Sequence, residues 1–440
     1  MDKQFCFTEF AKYAFLNVLG MLGLSCYILA DTFFVSKGLG TNGLAALNLA
    51  IPVYSLIHGS GLMLGIGGAT KYSILKVQKS SENSDMVFTN TIYLAALLSV
   101  LFMLTGLFFS EELAILLRAD ENAAAMTRIY LKVLLLFAPA FLLNDIFVCF
   151  VRNDGNPRLS MAAMLFGSIA NIILDYIFIF PFHMGIFGAV LATGTAPALS
   201  MLILSRHRLK KQNGFHWKKA KPSLLTMGTV VSLGFPSFIV EMSSGIVIIV
   251  FNWILMTLAG NVGIAAYGII ANLSLVVTSI YTGIAQGIQP IISNAYGKGN
   301  FKNMRQTLRY GIFTTLILSG MIYILLFLFA APIAGIFNSE GNPQLQAIAI
   351  SGIKLYFTAS PFVGFNIVLS SFFTSTEKAL PSHLLSLLRG FILIIPMAFL
   401  LSYLAAATGV WLAFPITEGI VCLLGLITYL SLKRKETVYV

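Results

Sequence analysis

The chain has 440 residues, of which 58% are hydrophobic and only 10% charged, and 28 Lys and Arg against 17 Asp and Glu give a net charge of +11. A soluble domain carries about 25% charged residues, and a chain this apolar cannot cover itself with polar surface. Soluble enzyme, disordered chain and secreted disulfide scaffold are therefore excluded, and the sequence reads as an all-α polytopic membrane protein.

The first apolar run, residues 10–36, is too long for a signal-peptide core and carries Asp31, so it reads as an uncleaved first span. Further runs follow at 44–70, 88–110, 129–151, 159–181 and 185–205, then at 228–258, 264–290, 310–334, 347–372, 383–403 and 407–430. One span needs about 20 apolar residues, so twelve are predicted. The most polar stretch, Arg206 to Lys221, falls between spans six and seven. The expected organisation is a six-helix bundle over 1–205, a basic cytoplasmic linker over 206–227 and a second six-helix bundle over 228–440.

With both termini cytoplasmic, all but six of the 28 bases fall on the cytoplasmic side, including Arg152, Lys79 and seven in the linker. Lysine and arginine favour cytoplasmic loops, so the basic balance marks membrane orientation rather than nucleic-acid binding. Cys6, Cys26, Cys149 and Cys422 show no CxxC spacing and read as reduced packing residues.

The halves repeat. Gly40-Thr-Asn-Gly43-Leu-Ala-Ala returns as Gly260-Asn-Val-Gly263-Ile-Ala-Ala, Pro139 and Asn144 as Pro361 and Asn366, and Gly188, Leu191 and Ala192 as Gly409, Leu412 and Ala413. Six spans per half make the repeat parallel, about an axis along the membrane normal, as in many carriers.

Ionisable residues inside spans are costly and mark candidate sites. Asp31 in span one, Asp175 in span five and Thr193 in span six fall at one depth, in the outer half of the membrane. Asn171 precedes Asp175 by four residues, on the same helical face. Two carboxylates in a low-dielectric space do not readily both stay charged; a proton or a cation neutralises one. That chemistry suits a coupling site for H⁺ or Na⁺, and hard oxygen ligands fit Na⁺. Such a cluster can also be a fixed hydrogen-bond network that holds the bundle together.

The second half lacks this set. It offers Glu241 after Gly234-Phe-Pro236, Glu418 in span twelve and Arg389 in span eleven. Glu241 is a candidate for a cationic substrate, and either acid could form a buried pair with Arg389. Asp145 reads as structural or interfacial, and His58 as a packed residue. No GxxxxGK[ST], metal cluster or Ser-His-Asp pattern occurs, so neither nucleotide hydrolysis nor an enzyme is expected, and no cofactor beyond the coupling ion.

The chain resembles the multidrug and toxic compound extrusion (MATE) family. The resemblance lies in Asp31-Thr-Phe-Phe-Val, the Gly-rich loop with Leu-Ala-Ala, Asn171-Ile-Ile-Leu-Asp175, Gly188-Ala-Val-Leu-Ala-Thr193 and Gln289-Pro290, and it covers essentially the whole chain. It implies a V-shaped pair of bundles exporting cationic amphipathic drugs in exchange for H⁺ or Na⁺. It also implies a cation-coupling site, with Na⁺ as one occupant, at Asp31, Asn171, Asp175 and Thr193. Glu241, Gln289, Tyr27 and Phe34 are candidates for substrate contact. A monomer in the bacterial inner membrane is expected, with no nucleic-acid partner. The alternative is a lipid-linked oligosaccharide flippase of the same superfamily, whose anionic substrate would need deep bases; only Lys354 and Arg389 qualify. Two features depart from the family. Span ten holds Lys354 and no acid, unlike a branch with a second-bundle acid pair. Span one has Gly20 and Gly23 but no proline, so the proline-dependent bending of some archaeal members lacks its residue here.

Overall fold

In hydrocarbon every backbone N–H and C=O must find its partner within the chain, so long apolar segments close into helices. The computed structural model describes residues 3–78, 81–117, 119, 121–338 and 341–438, and the regular structure among them is helical throughout. Lys79 and Arg118, counted above among the bases, lie outside the described residues, as do the side chains of Lys3, Cys6 and Lys435.

The first half comprises α1 (Lys3–Val77), α2 (Ser81–Phe108), α3 (Ser110–Leu116), α4 (Glu121–Leu136), α5 (Ala138–Asn153), α6 (Pro157–Ile179) and α7 (Gly185–Leu209). The second comprises α8 (Leu224–Gly297), α9 (Phe301–Leu328), α10 (Ala330–Phe337), α11 (Pro343–Tyr356), α12 (Ser360–Ser375), α13 (Ala379–Leu387) and α14 (Ile394–Val438). α1 and α8 are each two helices joined at a glycine, and α14 is two joined at Ala405–Ala406. α4 and α5 bend by 48° and form one broken span. α11 and α12 likewise form one span, α13 runs on through a π-helical turn into the first part of α14, and α3 and α10 are too short to cross, so the described chain carries the twelve predicted spans.

The backbone repeats as the sequence does. Gly40 (φ 66°, ψ −157°) and Gly260 (φ 60°, ψ −149°) adopt the same conformation, 220 residues apart. Only glycine takes it without strain. The short α3 is matched by α10, and the α4–α5 bend by a 3₁₀ turn at Phe357–Ala359 between α11 and α12. Gly185 (φ 60°) is matched by Ala406 (φ 48°), so the second half holds an alanine where the first uses a glycine.

The described chain divides into two units, residues 15–242 with 293–301, and residues 1–14 with 243–292 and 302–440. The first has two cores. One centres on Val35, Ile57, Leu131, Leu134 and Val190, the other on Leu64, Tyr72, Ile146, Phe150 and Val230. The second unit centres on Leu255, Ile270, Tyr281, Ile353 and Trp411. The start of α8 packs within the first unit at closest backbone approach. A Cβ on Gly67 would overlap the Val230 carbonyl, and one on Gly234 would overlap the Met63 carbonyl. Backbone cannot yield as a side-chain tip does, so Gly234→Ala is expected to cost about 3 kcal/mol. A lowered melting temperature of the detergent-solubilised protein checks this.

Residues 210–223 between α7 and α8 are held against the first unit. Gly214 N–H donates to Asp154 Oδ2 at 2.6 Å, His216 N–H to Asp85 Oδ1 at 2.9 Å, Lys218 N–H to Thr89 Oγ1 at 3.1 Å and Ser223 N–H to Asn90 Oδ1 at 2.8 Å. Tyr93 Oη donates to the Ala220 carbonyl at 3.0 Å. The basic linker is therefore a strap, its backbone bonded to side chains of α2 and of the α5–α6 loop. Asp154 is its main anchor. Besides Gly214 it receives Tyr72 Oη at 2.6 Å, His207 Nε2 at 2.7 Å and Lys76 Nζ. Burial works against the charge on this carboxyl, but the bonds from Lys76, Tyr72, Gly214 and His207 prevail and hold it below the usual carboxylate range. A depressed folded-state pKa adds stability above the unfolded value of about 4, lost as pH falls through the folded value. Asp154→Asn should cost about 3 kcal/mol at neutral pH. It should also flatten the acid limb of the stability curve, read by thermal melts from neutral to acidic pH.

Candidate ion-coupling site

Close packing of the first part of α1 on α6 sets the level of the site. A Cβ on Gly20 would meet Met164 Sδ at 2.9 Å, one on Gly23 would meet Leu165 Cδ2 at 2.6 Å, and one on Gly38 would overlap Ile179. As α1 advances from 20 to 38, α6 advances alongside from 164 to 179, so Asp31 comes level with Asn171 and Asp175. α7 brings Thr193 from the other side. Beside Thr193, a Cβ on Gly194 would meet the Phe137 ring at 2.5 Å, so this glycine lets α7 close onto the bend between α4 and α5.

The four predicted residues are all buried, with Asp31 6%, Asn171 1%, Asp175 0% and Thr193 4% exposed. With its amide oriented to satisfy both neighbours, Asn171 donates to Asp175 Oδ2 at 3.0 Å. Its carbonyl oxygen accepts from the Thr193 backbone N–H at 3.2 Å. The Thr193 hydroxyl donates to the Ala189 carbonyl at 3.1 Å and also lies in hydrogen-bonding contact with Tyr130. Asp31 Oδ1 and Asp175 Oδ1 are buried with no hydrogen-bond partner, and the two carboxylates lie within electrostatic reach of each other. Buried carboxylate oxygens normally have partners. Two orphans beside an amide and a hydroxyl form an all-oxygen donor set that a proton or a hard cation would complete.

The other candidates are dispersed. Tyr27 and Tyr54 share a hydrogen bond at 2.6 Å between their hydroxyls, and Tyr27 lies in the electrostatic surroundings of Asp31. Phe34 packs against Tyr176 and Phe180, ring centroids 6.1 Å away in each case. Glu241 belongs to the first unit, with His58 and Asp145 as its charged neighbours. Gln289 is buried in the second unit. Arg389 pairs with Glu418 rather than Glu241, its Nη2 2.8 Å from Oε1.

Several residues escaped the sequence reading. Tyr130 on α4 is buried and has Asp31, Asp175 and Thr193 among its neighbours; only the assembled bundle reveals this. Arg152, counted as a loop base, is fully buried and donates to Asn17 Oδ1 at 2.9 Å. Cys149 is a buried packing residue as read, whereas Cys26 is exposed.

The MatE family model matches the chain at residues 18–177 and again at 236–400. The chain belongs to the MatE family. That one model matches twice agrees with the internal repeat. Among curated relatives, the multidrug export protein MepA of Staphylococcus saprophyticus is 26% identical over 439 residues, covering 99% of this chain and 96% of the relative. A MepA of Staphylococcus aureus is 27% identical with the same coverage. Among solved structures, an outward-facing multidrug resistance MATE transporter of the MOP superfamily aligns with a TM-score of 0.90 at 23% identity, covering 97% of this chain and 96% of that one. The Vibrio cholerae MATE transporter VcmN, in a mutant form, aligns with a TM-score of 0.90 at 20% identity and 99% coverage of both chains. The MatE chain described here therefore has the MATE fold, a multi-pass helical membrane protein.

Proposed function

We propose that this MatE protein is a secondary active multidrug efflux transporter, exporting cationic amphipathic compounds in exchange for H⁺ or Na⁺ by alternating access. One observation carries the reading. Asp31 and Asp175 leave two buried carboxylate oxygens without partners beside Asn171 and Thr193. Buried carboxylate oxygens normally have partners, and a site that takes up and releases a cation leaves them open. The full-length similarity to MepA, named for multidrug export, supports the substrate class. Tyr27, Phe34, Glu241 and Gln289 are the proposed substrate contacts, and the bias of basic residues toward one set of loops supports cytoplasmic termini. The protein works as a monomer in the inner membrane. The flippase alternative loses support because Arg389, one of its two deep bases, is already paired with Glu418.

Purified protein in proteoliposomes tests the proposal. Ethidium should move against its own gradient when a pH gradient or a Na⁺ gradient is imposed, and the gradient that drives it identifies the coupling ion. No uphill movement with either gradient would refute the antiport reading.

A further inference from the structure

A second ionisable cluster lies in the same unit, on three separate elements, joined to the surroundings of the coupling site by the 2.6 Å hydrogen bond between the Tyr27 and Tyr54 hydroxyls. His58 on α1 places Nδ1 2.9 Å from Asp145 Oδ2 on α5. Asp145 is 8% exposed, and that oxygen has the ion-pair distance but no aligned hydrogen bond. Glu241 on α8 has His58 and Asp145 as its charged neighbours. Glycines make the room for both acids. A Cβ on Gly61 would overlap Asp145 Oδ2, and one on Gly59 would come within 3.1 Å of Glu241 Cβ and 3.3 Å of the Phe238 ring. Aromatic rings enclose the cluster. Tyr54 stacks on His58 with centroids 5.7 Å apart, and Phe141 meets Tyr54 edge-on at 5.8 Å. His58 and Asp145 are buried, and Glu241 is half-buried.

Two acids cost too much in a membrane span to be idle, and the sequence assigns no task to Asp145 or His58. Two carboxylates among Tyr54, Phe141 and Phe238 match the chemistry of a flat organic cation, which gains from ion pairing and from aromatic faces together. The imidazole decides whether it stays. A proton on Nδ1 must lie between that nitrogen and the facing carboxylate, so Nε2 is the atom that gains or loses a proton, exchanged with water. Among the described residues, the titratable groups that face His58 are Tyr54 on its own helix, Asp145 on α5 and Glu241 on α8.

We propose that His58, Asp145 and Glu241 form a substrate site that holds the positive group of an organic cation while the imidazole is neutral and releases it when the imidazole takes a second proton. This rests on the reading that the exported substrates are cations. It makes the site a direct point of competition between proton and substrate, built from residues other than Asp31 and Asp175.

The test is equilibrium binding of ethidium and of tetraphenylphosphonium to the purified full-length protein, from about pH 5 to about pH 10.5, which extends beyond both ends of the ordinary histidine range. Wild-type affinity for both should rise about tenfold across that range, the effect of one unit charge a few ångströms away at an intermediate dielectric. His58→Gln should bind tightly at every pH, and His58→Lys weakly at every pH. If one of the pair fails to fold, the other still decides. Glu241→Gln should lower affinity about tenfold throughout. Affinity independent of pH in the wild type, or an unchanged pH dependence in a folded His58 variant, would overturn the second site and leave coupled efflux standing. Failure of the wild type to bind either cation would overturn the efflux reading and this proposal with it.

Discussion

Asp31→Asn should yield a protein that inserts and melts like the wild type but does not export ethidium. Asparagine keeps the size of the side chain and one acceptor oxygen, so the packing of α1 on α6 at Gly20, Gly23 and Gly38 is untouched. The variant loses the negative charge and with it the capacity to carry a proton or ligate Na⁺ as an anion. Bonds to a charged group contribute about 1.5–3 kcal/mol each, so losing one carboxylate of the pair should weaken ion binding about ten- to a hundredfold. Coupled efflux in cells and in proteoliposomes should fall at least that far. Stability should hold or rise slightly, since the change removes one of two like charges buried at one level. Thr193→Ala should cost less, because the Thr193 hydroxyl already spends its proton on the Ala189 carbonyl and offers only its oxygen. Wild-type efflux by Asp31→Asn would remove the coupling role from Asp31. A variant that failed to insert would instead mark the cluster as structural.

Span number and the repeat were legible in the sequence because both rest on composition and local chain geometry. A run of about 20 apolar residues has one outcome in hydrocarbon, and the paired glycines at 40 and 260 mark two equivalent places where the chain leaves the helical region. The coupling residues were legible for a related reason. Spacing alone puts Asn171 and Asp175 on one face, and scarcity of charge singles out Asp31. What the sequence hides is which helices meet. Tyr130 is one tyrosine among 16 until α4 lies beside Thr193. His58 read as a packed residue because Asp145 and Glu241 are 87 and 183 positions away along the chain. The linker read as a basic loop because side-chain charge is visible in sequence, whereas backbone N–H groups bonded to Asp154, Asp85, Thr89 and Asn90 are not.

The second unit holds a buried ion pair whose removal should separate structure from transport. Arg389 Nε and Nη2 both donate to Glu418 Oε1, at 3.0 and 2.8 Å, and Asn366 Nδ2 donates to Oε2 at 2.7 Å and to the Glu418 carbonyl at 3.0 Å. Glu418 is 1% exposed. Arg389 sits in a turn of π-helix at Leu388–Ile392, and such an inserted residue changes which side chains follow along the helix face. Both carboxylate oxygens of Glu418 thus have partners, the opposite of Asp31 and Asp175 with their orphan oxygens. Arg389→Met leaves a buried carboxylate facing no cation and should cost about 3–5 kcal/mol. The double change Arg389→Met with Glu418→Met removes both charges, fills the space with apolar side chains of similar length and should restore wild-type stability or exceed it. Thermal melts of the two variants beside the wild type read this directly. Because the pair is internally satisfied, the double variant should also still export ethidium. A double variant that folds but does not transport would move Glu418 and Arg389 from the scaffold into the transport cycle. Export by the double variant would leave Asp31 and Asp175 to carry the coupling.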